Sequence, residues 1–213
     1  MTYDVPFVPN TKDDLHCLQS AYMMIVKYYK PDFEIDWDEW SKITGFEVGK
    51  GTWASAGVLW FYDNGFDVKH YEVFDYNKFF KKGGDYLIQT SGQEVGQWQI
   101  EHSNIPLEQK RAKQMIDKGL LVSKIPTIED IKSYLDKGYL LRVLLNSRRL
   151  NGKEGFFGHA VTVIGYDDKS LIIHDPGLPP YPNRHVLFED FESAWADPNK
   201  ESKELDAIKL STK

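Results

Sequence analysis

The stretch Gly158–Gly177, GHAVTVIGYDDKSLIIHDPG, decides how this chain reads. Two apolar runs, His159–Tyr166 and Ser170–Asp175, flank the polar turn Asp167-Asp168-Lys169, and Pro176-Gly177 ends the second run. Such runs around a short polar turn predict a β-hairpin. With Asp167 at the centre of the turn, His159 faces Asp175, Val161 faces Ile173 and Val163 faces Leu171. Side chains alternate across a strand, so these residues share one face, with the His and the Asp together at one end. Directly opposed residues hold their Cβ atoms about 4.5–5.5 Å apart, close enough for imidazole and carboxylate to hydrogen-bond. A turn displaced by one residue leaves the pair within diagonal reach. The same alternation sends His174 to the opposite face. An ordinary structural hydrogen bond closing the hairpin is the plain alternative.

Outward from the hairpin, Tyr139–Leu145 reads as a buried strand and Thr127–Lys137 as a helix, with Thr127 at its start, acids in its first turn and Gly138 at its end. Asn146–Gly158 is a loop. Its Arg148-Arg149 pair suits either solvent or an acidic group on a substrate. Phe188–Trp195 predicts a short helix and Leu205–Leu210 a last strand. At the other end of the chain, Val5-Pro6-Phe7-Val8-Pro9 is extended, because residues before proline avoid the helical region. A helix follows from about Asp14–Cys17, with Asp13 or Asp14 as cap and Leu18, Tyr22, Ile25 and Tyr29 as its apolar stripe. Pro31 stops it. Asp36–Thr44 and Thr52–Asn64 predict further helices, and Phe66–Val73 a strand. Residues 75–124 are the least legible; Gly83-Gly84 marks a break and Leu107–Lys118 a helix. We take this stretch as an elaboration within one domain spanning 1–213.

Cys17, the only thiol, sits at the expected first turn of the first helix. Unpaired N–H groups and the positive end of the helix dipole lower a thiol's pKa there. A thiolate, a His and a carboxylate holding that His are the parts of acyl-transfer catalysis. A small buried hydrophobe is the other fate of a lone Cys. One Cys, one His and one Asp make a poor tetrahedral metal set, so no metal is expected. His16 reads as a surface residue, and the six Trp as core or cleft wall.

Composition narrows the classes. The 213 residues carry 26 Lys+Arg against 32 Asp+Glu, a net charge of −6. No basic cluster suggests a nucleic-acid partner. Hydrophobic residues at 41% and aromatics at 14% exclude disorder. A single Cys excludes a disulfide framework. No apolar run is long enough to span a membrane. The N-terminus shows no signal peptide, which gives a cytoplasmic expectation, with export the alternative for a chain that has lost one. No phosphate-binding glycine loop is present.

Several of these segments resemble a known family. Gly158–Asp168 resembles the His strand of papain-like cysteine peptidases. LIIHDPG, Leu171–Gly177, is similar to the Asp-Pro segment of the bacteriocin-processing, double-glycine-leader peptidases and their stand-alone relatives. VPFVPNTKDDLHCLQSAYMMIVKYY, Val5–Tyr29, resembles their extended Val-Pro segment, polar loop, Cys at a helix start and Tyr-Tyr helix end. Phe188–Trp195 is also similar. The resemblance implies an α+β, papain-like fold, its N-terminal helical part carrying Cys17 against an antiparallel sheet carrying His159 and Asp175. It implies Cys17 as nucleophile, His159 as general base and acid, and Asp175 as the group orienting His159. The backbone N–H of Cys17 and the amide of Asn10 would form the oxyanion hole, and a peptide or amide would be cleaved without a cofactor. Two positions depart from the family pattern. His16-Cys17-Leu18 replaces Asp-Cys-Gly, and Leu18 is expected to narrow the cleft. The family's Gln six residues before the Cys is Thr11 here, so Asn10 serves only with one extra residue in the loop. The rival readings are a transglutaminase-like acyltransferase on the same residues and an inactive peptide-binding module.

Overall fold

In the computed structural model, which describes residues 1–211, the first helix carries the longest continuous buried run. Helix α1, Cys17–Tyr29, has every residue from Leu18 to Val26 buried. Each fully buried Val, Leu, Ile or Met side chain contributes roughly 1.5–3 kcal/mol. This helix therefore fixes the core around it. Helices α2, Trp37–Ile43, and α3, Ser55–Asp63, lead to strand β1, Phe66–Tyr71. Then come α4, Tyr76–Lys82, α5, Gly84–Glu101, α6, Ile105–Asp117, and the short β2, Leu121–Val122. The second half runs α7, Ile128–Asp136; β3, Leu140–Asn146; α8, Ser147–Leu150; β4, Gly158–Tyr166; and β5, Ser170–Asp175. It closes with β6, Tyr181–Leu187; α9, Phe188–Trp195; and β7, Glu204–Leu210.

The strands form one seven-stranded sheet in the order β2-β1-β7-β3-β4-β5-β6. Every pairing is antiparallel except β1 with β2. Alternation on β4 and β5 divides the core. Ala160, Ile164 and Ile172 pack with α1 and α3 on one face. Val161, Val163, Leu171 and Ile173 pack with α7 and α9 on the other. No helix among the described residues is long and apolar enough to cross a membrane.

The hairpin forms, but in a different register. Val163 faces Ile173 and Thr162 faces His174, with a bulge between Val163 and Gly165. Asp167 opens the turn rather than centring it, because its Oδ1 accepts the N–H groups of Lys169 at 2.9 Å and Ser170 at 2.7 Å. Extending this register sets Asp175 beside Val161, so His159 lies one diagonal step from it. Two other expectations change. Neither Asp13 nor Asp14 caps α1: His16 is its N-cap residue without a side-chain bond. Asp13 instead accepts from Thr11 and Leu15, and Asp14 takes a positive φ of 60°. His16 is buried, its ring 3.9 Å from that of Phe46 between centroids.

Residues 75–124 are mostly helical. Asp75 caps α4 by accepting the Lys78 N–H at 2.9 Å. Within α5, Gly92 leaves helical geometry at φ 81°, so the helix folds back on itself. The stretch adds Tyr76, Phe79, Tyr86, Leu87, Ala112 and Met115 to the cluster around α1.

A buried charged network ties α1 to the sheet. Arg142 on β3 donates through Nε to Asp206 Oδ2 on β7 at 2.7 Å and through Nη2 to Glu204 at 2.6 Å. Tyr22 of α1 donates to the same Asp206 oxygen at 2.6 Å, and His70 Nδ1 meets Asp206 Oδ1 at 2.6 Å. Removing one member of a buried ion pair strands the other charge, at a cost of about 3–5 kcal/mol. Arg142→Leu should therefore lower unfolding free energy by about that amount in urea titration. A loss below about 1 kcal/mol would show that the network is not holding the sheet to α1.

Candidate active site

The order of the strands explains why three distant residues meet. His159 is the second residue of β4 and Asp175 the last of β5, so the antiparallel pair brings them to one end of the sheet. His159 Nε2 lies 2.8 Å from Asp175 Oδ1. Cys17 opens α1 over the same end, where the Ala160 N–H reaches its Sγ at 3.5 Å. With Nε2 on the carboxylate, Nδ1 of His159 is the ring nitrogen left for the thiol. His159 and Asp175 are buried, and Cys17 is partly so.

Asp175 has a further partner that the sequence reading missed. Arg184 of β6 donates to its other oxygen at 2.9 Å. Gly177 N–H donates to Oδ1 at 3.1 Å. Burial pushes the Asp175 carboxyl up, but the bond and charge of His159, the Gly177 N–H and Arg184 hold it below its ordinary 3.8. Burial disfavours a charged His159, yet bonds to Asp175 and Cys17 raise it from 6.5 to about 10. Burial likewise pushes the Cys17 thiol up. The hydrogen bond and charge of His159, with the N–H groups of Ala160 and Leu18, outweigh this and hold it below the ordinary 9.0. All three shifts favour a thiolate, an imidazolium and a carboxylate in line. By linkage, the Asp175 contribution to stability is complete above pH 3.8 and lost as pH falls through its lowered pKa. The His159 contribution is complete below pH 6.5 and lost as pH rises through about 10.

Asn10 lies beside the thiol's helix turn. Its Oδ1 accepts the His16 N–H at 2.9 Å and the Thr11 N–H at 2.9 Å. Its Nδ2 donates to Asp14 Oδ1 at 2.8 Å, which leaves a second amide hydrogen. Leu18 is buried in the core cluster around α1. His70, Glu204 and Asp206 converge closely enough to suit a metal ion. Arg142 already supplies the cation to both carboxylates, so that donor set is filled by the protein itself.

A groove of ≈ 700 Å³ opens beside His159 and Asp175. Gly177 forms part of its wall, close enough that a side chain there would press on the catalytic pair. A Cβ there would stand 3.1 Å from Asp175 Oδ1 and 3.3 Å from the His159 ring.

Residues 3–203 match the Peptidase_C39 like family, and the chain belongs to it. No curated protein matches the chain. Among solved structures, the chain is similar to the peptidase domain of Streptococcus ComA, a bi-functional ABC transporter. The identity is 15% and the TM-score 0.53, covering 97% of this chain and 98% of that one. It is also similar to a double glycine motif protease from an AMS/PCAT transporter, solved in complex with the leader peptide. There the identity is 14% and the TM-score 0.50, covering 98% of this chain and 94% of that one. The fold is thus α+β and papain-like, as the sequence resemblance implied.

Gly177→Ala tests whether the His159 ring sets the thiol's reactivity. Raising a thiol's pKa by about one unit cuts its thiolate fraction about tenfold at pH values below that pKa. Alkylation of Cys17 at neutral pH should slow by about that factor, with little change in unfolding midpoint. An unchanged rate would mean that the ring's position does not govern the thiol.

Proposed function

We propose that the protein is a cysteine peptidase that cleaves a peptide or amide bond through Cys17, His159 and Asp175. The observation that carries this reading is the thiol–imidazole–carboxylate chain at the end of the sheet, with the thiol shifted down and the imidazole up. The similar protease bound to a leader peptide favours a peptide as the substrate. The Cys17 thiolate attacks the carbonyl carbon. The resulting oxyanion accepts hydrogen bonds from the Cys17 backbone N–H and the second Nδ2 hydrogen of Asn10. The first N–H groups of a helix lack partners within it, which suits them to that charge. The His159 imidazolium protonates the leaving amine as the tetrahedral intermediate collapses to a thioester. Water then attacks the thioester while His159 takes its proton, and Cys17 leaves as thiolate. Asp175 holds the ring and stabilises its charged form, and Arg184 holds Asp175. No step calls for a cofactor.

A panel of internally quenched peptides, with products identified by mass spectrometry, tests the reading. Cys17→Ala should abolish cleavage. Asn10→Ala should lower kcat by about 10²–10³ with little change in KM, the usual effect of losing one oxyanion donor. Full activity in Cys17→Ala would overturn the peptidase assignment. An Asn10→Ala enzyme with undiminished kcat would remove Asn10 from the mechanism.

A further inference from the structure

The groove carries more than the reacting groups. β3 ends at Asn146, opposite Gly158, and β5 ends at Asp175. The connections 147–157 and 176–180 therefore leave the sheet at the same end as the His159–Asp175 pair. Both line the groove: Arg148, Lys153 and Phe157 from the first, Leu178 from the second, with Tyr181 at the start of β6. Phe157, Leu178 and Tyr181 are 43%, 50% and 57% exposed. Large apolar side chains around a concave face mark a binding surface.

The charges on this groove do not balance. Asp175 is held by His159 and Arg184, while Asp14, bonded to the neutral Asn10 amide, keeps its charge on the groove. Arg184 is committed to Asp175, with its other nitrogen on Leu150 O and Asn151 Oδ1. Arg148 and Lys153 have no carboxylate partner among the described residues, and the Arg148 guanidinium meets only the Glu154 carbonyl, at 3.3 Å. The neighbouring Arg149 donates to Ser193 Oγ and lies outside the groove. Arg148 and Lys153 thus outnumber Asp14 on the groove, although Lys153 also borders a neighbouring hollow with Glu154 and Asp197, in a chain of net charge −6. Such a local field draws an anion.

We infer that this groove binds the leaving segment of the substrate, and that this segment carries a carboxylate beside bulky apolar side chains. The inference rests on the peptidase reading and adds its substrate class. Direction follows from the proton transfer. His159 protonates the departing amine, so the segment bearing that amine lies on the His159 side of the thiol. Arg148 and Lys153 hold the carboxylate by charge-assisted hydrogen bonds, while Phe157, Leu178 and Tyr181 cover the apolar side chains. An acidic side chain and the peptide's own C-terminal carboxylate share this chemistry.

Peptide pairs with one scissile bond, differing only by Glu or Gln shortly after it, test the inference. At low salt the Glu peptide should have kcat/KM about tenfold higher, the equivalent of one charge-assisted contact. The ratio should fall toward unity in Arg148→Ala/Lys153→Ala. It should persist in Lys78→Ala/Lys82→Ala, which removes two charges from α4. Amidating the C terminus of both peptides distinguishes the two sources: a loss of kcat/KM common to the pair assigns the carboxylate to the chain end, and a Glu preference that survives amidation assigns it to the side chain. Equal cleavage of the pair with no loss on amidation, or an effect untouched by the groove variant, would overturn the inference. A second readout stands apart from catalysis: anisotropy of the same labelled peptides on Cys17→Ala. Tighter, salt-sensitive binding of the Glu peptide, lost in the groove variant, supports the groove even without turnover. Binding that neither the Glu side chain nor the free C terminus strengthens, or none, overturns it.

Discussion

The site depends on the junction between the first turn of α1 and the first residues of β4. There the Ala160 N–H meets Cys17 Sγ, and the next residue back along the strand is His159. Thr162 Oγ1 donates to the Ala21 carbonyl at 3.2 Å, one turn further along the same helix. Tyr22 reaches Asp206 from the adjoining position. Interiors are packed to crystal-like density and resist small displacements. The distance between thiol and imidazole is therefore set by the core, not by a surface loop.

The electrostatics follow from that geometry. Burial works against charge on Cys17, His159 and Asp175 alike. Each gains more from its neighbours than it loses to burial, so each shift runs toward the ionised form. Arg184 completes the set by placing a guanidinium on the far oxygen of Asp175. Without it, the carboxylate would answer to His159 and one backbone N–H alone. Arg148 and Lys153 have no carboxylate partner among the described residues, which separates the cation that positions from the cations that face solvent.

Legibility in the sequence tracked how local each cause was. The capping box at Thr127 and Asp130 is contained in four residues, and α7 reads accordingly. The stripe of α1 and the apolar runs of β4 and β5 are likewise local. The hairpin register was misread because the Asp167 side chain closes the turn ahead of its apparent centre. The faces survived the error: Val161, Val163, Leu171 and Ile173 still share a cluster. Strand β6 went unseen because it is an exposed edge, YPNRHVL, with little apolar alternation. Helix α5 went unseen because its residues are mostly polar and Gly92 interrupts it. Arg184 and the burial of His16 depend on partners chosen by tertiary packing, Asp175 and Phe46. Asn10 was reached through the family resemblance; its bond to the His16 N–H, which holds it beside the first turn of α1, depends on the folded loop.

The most direct test of the account is the rate of Cys17 alkylation by iodoacetamide from about pH 4 to pH 10, in wild type and in His159→Ala. With one Cys in the chain, every adduct reports on this site. A thiolate paired with imidazolium predicts fast reaction well below the ordinary thiol pKa of 9.0, and a rise moved to higher pH when His159 is removed. A single rise near 9.0 or above in both proteins would contradict the ion pair on which the mechanism stands.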